Sequence, residues 1–209
     1  MSDKPVFVVA AEVSAELNRG MQIAKRLLLV ASNARALALR AGTSAAGFKP
    51  ITDSIDELVK ITLEISSSIN SKAQFASQIA TANTRASFAL TKFEAVYRQV
   101  EAAKYLSTLD GARQKTYEEH QVLTEKFCEE ISALHELLKA LDSELRVAAI
   151  VSTMLRVEAS QAEEQFKDQL DTIADSVNEL ADKVKQHVLK SLTLFSSFRQ
   201  EEYAIKNTL

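Results

Sequence analysis

Apolar residues recur along this chain at steps of three and four, with charged and amide side chains filling the positions between. The first row runs through Val9, Val13, Gly20, Ile23, Leu27, Val30, Ala34, Leu37 and Ala41. Side chains at that spacing share one side of an α-helix, and the regular alternation makes a coiled-coil seam. Pro5 suits the first turn of such a helix, where its missing N–H would have no partner anyway. Gly20 lies on the seam, where it either admits a neighbouring helix closely or marks a bend.

The row stops between Gly42 and Pro50. Gly42 suits the left-handed C-terminal cap, and Pro50 cannot continue a helix but can begin one. Thr52 or Asp53 can accept from the free N–H groups at the start of the next helix. That helix has the longest unbroken register: Ile51, Ile55, Leu58, Thr62, Ile65, Ile69, Lys72, Ala76, Ile79, Asn83, Ala86, Leu90, Phe93, Tyr97 and Val100. About 50 residues at 1.5 Å each make a rod of roughly 75–85 Å. Lys72 and Asn83 are polar members of the seam, a device that costs stability and fixes register.

A second turn falls at Thr108–Gly111. Seams then resume from Phe127 to Phe166 and from Leu170 to Phe198. No Gly or Pro separates these last two, so one helix from about Ala112 to about Glu202 is possible on local grounds. Such a helix would be about 135 Å long, with nothing of that length to pack against. There is also an internal echo. Ile51-Thr-Asp-Ser-Ile-Asp-Glu-Leu resembles Ile173-Ala-Asp-Ser-Val-Asn-Glu-Leu, with Phe48 and Phe166 a few residues upstream. A turn between Ala162 and Leu170 is therefore expected. The predicted fold is all-α, an elongated antiparallel four-helix coiled-coil bundle made of two helical hairpins. It forms one domain over residues 1–209, with related halves 1–108 and 112–209. The alternative is three long helices with the last continuous.

Composition narrows the class without naming an activity. Four Gly and two Pro in 209 residues leave too few turn residues for a sheet protein. Charged residues are 25% and hydrophobic residues 46%, values that fit neither a disordered chain nor a membrane-embedded one. A net charge of −3, with both signs interleaved, supports no nucleic-acid footprint. No apolar run reaches the roughly 18 residues needed to span a bilayer, and Val6–Ala11 is followed at once by Glu12 and Glu16. No basic leader or cleavage-site pattern suggests a signal peptide. The single Cys128 cannot form an internal disulfide, and a reducing cytoplasm fits best.

No constellation of catalytic residues stands out. None of His120, His135 and His187 has a Glu three residues before it, so the di-iron bundle pattern is missing. His187 falls on a seam and reads as a core or edge histidine. Cys128 lies beside the seam residue Phe127 and has no sequence neighbour that would activate a thiol. Glu118-Glu119 and Glu129-Glu130 read as solvated helix faces, and Ser66-Ser67-Ser68 as a small polar face. Phosphate loops, dinucleotide fingerprints and nucleophile elbows are missing too. The expectation is a protein without catalytic, cofactor or metal residues.

Residues Val30 to Thr62 carry a resemblance. Val30-Ala31, Leu37-Ala38-Leu39-Arg40-Ala41, Gly47-Phe48, Ile51, Ile55 and Leu58 occur in the order and register of the tip of methyl-accepting chemotaxis receptors. About one heptad of the family pattern is missing between Ala41 and Gly47, a loss that preserves seam register. A weaker echo lies at Val157-Glu158-Ala159-Ser160, with Val177 and Leu180-Ala181 downstream. The match covers about one sixth of the chain. It implies a cytoplasmic signalling or scaffold protein whose hairpin end binds protein partners. Those would be a chemosensory histidine kinase, its coupling protein or other receptors, with the chain a monomeric bundle or a homodimer.

The tip residues so implied are Asn33, Arg35, Arg40 and Phe48. The chain departs from the family there: Ser32, Asn33, Ala34 and Arg35 replace one partner-binding element, and a Glu-Ala-Ala-Arg element is largely missing. Glu163-Glu164 after Ala159-Ser160 forms half of a methylation pattern, which Lys167-Asp168 interrupts, so efficient methylation is not expected. Arg35 and Arg40 could equally serve only to solubilise the first helix. A structural helical protein that coats lipid or granules, with no signalling role, is the competing class.

Overall fold

The computed structural model describes the backbone of residues 6–42, 47–99 and 106–206, and the side-chain surroundings of residues 8–42, 47–99 and 106–194. Four helices make up the described chain: α1 (Val6–Ala41), α2 (Phe48–Gln99), α3 (Asp110–Gln161) and α4 (Glu164–Lys206), with one 3-10 turn at Leu106–Leu109. Each helix packs on two others, in the cycle α1–α2–α3–α4–α1. With sequence neighbours antiparallel, the order is up-down-up-down, and α1 and α3 occupy diagonal corners while running in the same direction.

The seams make the core. Val13, Leu27, Ala34 and Leu37 of α1 are buried with Ile55, Leu58 and Ile69 of α2, Leu134, Leu138, Leu141 and Leu155 of α3, and Leu170, Val177 and Val184 of α4. The polar positions Lys72 and Asn83 of α2 reach α3 from the margin of the core, with Ala73 and not Lys72 in the buried place. The Lys72 ammonium donates to Glu130 Oε2 at 2.8 Å, and Asn83 Nδ2 donates to Thr124 Oγ1 at 3.2 Å. Both bonds hold only in one register, as polar seam positions require. The Val100 position of the α2 seam lies outside the described residues.

The turns settle the two helix-ending questions. Gly42 has φ +53°, the left-handed cap that glycine adopts without penalty. Helix α2 begins at Phe48, two residues before Pro50, so the proline stands in the first turn where it removes no intrahelical bond. Thr52 does not cap the helix; its hydroxyl donates back to Lys49 O at 2.7 Å. At the far side of the sequence, α3 stops at Gln161 and α4 starts at Glu164. Ala162 is extended (φ −76°, ψ 159°), and its N–H still bonds Glu158 O. Two residues reverse the chain, so the alternative with a continuous last helix is overturned.

Gly20 is a point of close approach. A Cβ added there would lie 3.3 Å from Cβ of His187 on α4. In this layer a cavity of about 10 Å³ is lined by Leu17, Gly20, Ser66, Leu141 and His187, among others. The hydroxyls of Thr62 and Ser66 are buried without a partner.

Helices α2 and α3 outrun the other two. Beyond Ala86 α2 buries no described residue, and before Phe127 neither does α3. Here the rod is a two-helix stalk, with Phe88, Val96, Tyr117 and Val122 exposed. The chain thus has two different ends. One carries both short helix–helix connections, and the other carries the α2–α3 stalk.

Candidate functional site

The end bearing the two short connections is built by the last turns of α1 and α3 and the first turns of α2 and α4. A Cβ on Gly47 would fall 2.6 Å from the Glu158 carboxylate of α3, so Gly47 lies directly against the end of α3. Any larger residue at 47 would displace that carboxylate.

Of the residues implied by the resemblance, Asn33, Arg35 and Arg40 are exposed on α1. Arg35 is engaged by Asp56 of α2, an ion pair across the first hairpin. Arg156 of α3 and Asp175 of α4 make the matching pair across the second, at 2.7 Å. Phe48 stands apart from this group. It is 0% exposed and belongs to the core, so it shapes the end from inside and offers no side-chain surface to a partner. Its counterpart in the second half, Phe166, is partly buried against the same core. Glu163 and Glu164 are exposed at the second connection, Glu163 within it and Glu164 at the first turn of α4. A carboxylate in a first turn is favoured by the helix dipole.

A second polar assembly joins α1 to α4. Glu16 of α1 is buried, alone among the charged side chains of the described residues. Its Oε1 accepts from the Lys190 ammonium at 2.6 Å and from Arg19 Nη1 at 2.8 Å, and its Oε2 lies 2.8 Å from His187 Nδ1. A carboxylate can only accept, so that ring nitrogen carries the hydrogen. The Lys190 bond, then the His187 bond, hold the Glu16 carboxyl below the usual carboxylate range against the opposing effect of burial. The group ties α1 to α4 one turn from Gly20. Its ligands are all side chains of the chain itself, and its chemistry is that of a structural ion pair. Only His187 gave a signal in the sequence, as a polar seam residue; Glu16 and Lys190 are 174 positions apart.

Among the described residues, no group of three or more His, Cys, Asp and Glu is placed to hold a metal ion. A shallow surface depression of about 500 Å³ between α1 and α2 is lined by Ala, Ser, Asn and Gln side chains, with no titratable group. No helix of the described residues is long and apolar enough to cross a membrane. No known protein family, curated protein or solved structure matches the chain.

Proposed function

We propose that the chain is a non-catalytic signalling or scaffold protein, resembling the cytoplasmic domain of chemoreceptors, that meets protein partners at the end carrying its two short connections. One observation carries the reading. A single polypeptide brings two hairpin turns together at one end of an antiparallel four-helix rod, with Arg40 exposed beside them and Asn33 exposed about two turns further along α1. That is the layout on which the resemblance of residues 30–62 depends. The buried Phe48 supports the shape of the end, and recognition falls to the exposed α1 residues.

Purified chemosensory coupling protein and histidine kinase, titrated against the full chain, test this. The reading expects binding by the unaltered chain and loss of it in the Asn33→Ala/Arg40→Glu double variant. No binding to either protein, or equal binding by the variant, would remove the assignment.

A further inference from the structure

One layer of the bundle core is not filled by side chains. The cavity of about 10 Å³ in that layer is walled by all four helices, with Leu17 and Gly20 from α1, Ser66 from α2, Leu141 from α3, and Val184 and His187 from α4. It lies near the middle of α1, beside the Glu16 group.

Ser66 gives this cavity a polar wall. It is 5% exposed, and its hydroxyl oxygen is buried with no hydrogen-bond partner among the described residues. Other buried hydroxyls find a backbone carbonyl: Ser152 donates to Ala174 O, Ser191 to His187 O and Thr52 to Lys49 O. Thr62, one turn before Ser66, is the other hydroxyl without a partner, but it does not line the cavity.

A buried hydroxyl left unpaired costs more than the ordering of one water molecule that would pair it. A water needs room and at least two polar partners. The room here is at the lower bound for a single water and is too small for a larger ligand. Ser66 Oγ can donate and accept. The His187 ring spends Nδ1 on Glu16, and its other nitrogen accepts when the ring is neutral and donates when it is charged. Gly20 has no Cβ to shield the α1 backbone from the cavity.

We propose that this cavity is a binding site for one ordered water, which joins Ser66 of α2 to the His187 ring of α4. The polar group then runs from Arg19 and Lys190 at the surface, through Glu16 and His187, into the centre of the rod, and it touches three helices. It sets how α1 and α4 slide against α2, as Lys72 and Asn83 set the register of α2 against α3. The site does not rest on the partner-binding reading, because none of its residues lies at the connection-bearing end.

Two substitutions that each delete a buried hydroxyl test this. Ser66→Ala removes the water's partner, so the folding equilibrium constant should fall about fivefold or more, the worth of one hydrogen bond. Without the water, the same change removes only an unpaired hydroxyl and introduces a better helix former, which leaves the protein as stable or more so. Thr62→Val is the control, and it should keep or raise stability because its hydroxyl faces no cavity. Urea melts read both. Oxygen-17 relaxation dispersion counts long-lived waters, and the wild type should hold one more than Ser66→Ala. A Ser66→Ala protein at least as stable as the wild type would overturn the proposal. So would equal water counts in the two proteins, or an equal loss of stability in Thr62→Val.

Discussion

Glu16 shows how much a single side chain contributes when it is buried among cations. Replacing it with Ala leaves Lys190 and His187 without their acceptor and removes the bonds that join α1 to α4. The expected loss is about 1–3 kcal/mol, the range for hydrogen bonds to charged groups, with Lys190 itself largely solvated. The folded-state carboxyl titrates below its unfolded value, so its stabilisation is complete at neutral pH and is lost as pH falls through the folded value. Urea melts of the wild type and Glu16→Gln should differ at neutral pH and converge in acid. Phe48 makes the complementary case. Truncating it to Ala should cost about 3–5 kcal/mol, whereas Arg40→Ala should stay within about 0.5 kcal/mol. Equal effects would contradict the placement of one inside and the other outside. An apolar residue between two helices reads in sequence as a loop tip; Phe48 is core because α2 starts two residues before Pro50 and turns it inward. Glu16 was illegible for another reason, since its partners are set by tertiary packing and not by spacing.

Helices and their seams were the most legible level. A period sustained over several heptads survives any local ambiguity, and the polar seam residues Lys72 and Asn83 marked the register that their bonds to Glu130 and Thr124 now define. The connection at Ala162–Glu163 was legible through the echo between the halves and through the length an unbroken last helix would have, because neither glycine nor proline marks it. The echoed positions have equal roles: Ile55 and Val177 are both 0% exposed, and Ile51 and Ile173 both lie in the core. The extent of the stalk was not legible. Leu90, Phe93 and Tyr97 keep the seam spacing, yet they are only half-buried because α1 provides no cover there. Amide exchange should follow this difference. Backbone amides of residues 88–98 and 112–122 should exchange at least tenfold faster than those of residues 55–80 and 134–155. Uniform protection along α2 and α3 would mean that something covers the stalk.

At the scale of the whole molecule, the two ends of the rod differ. At the connection-bearing end Arg40 is exposed on α1, and along α3 Val147, Ile150, Met154 and Val157 are exposed. Both placements depend on the chain reversing three times, so that α1 and α4 close the bundle and the first and last connections share an end. Electron–electron resonance between spin labels tests that arrangement directly, on a Cys128→Ser background in dilute, high-salt solution. Labels at Asp53 and Glu163 should lie within about 30 Å, and labels at Asp53 and Gly111 about 60 Å apart, given 1.5 Å per helical residue. A long distance for the first pair, or a short one for the second, would contradict the fold on which every other statement stands.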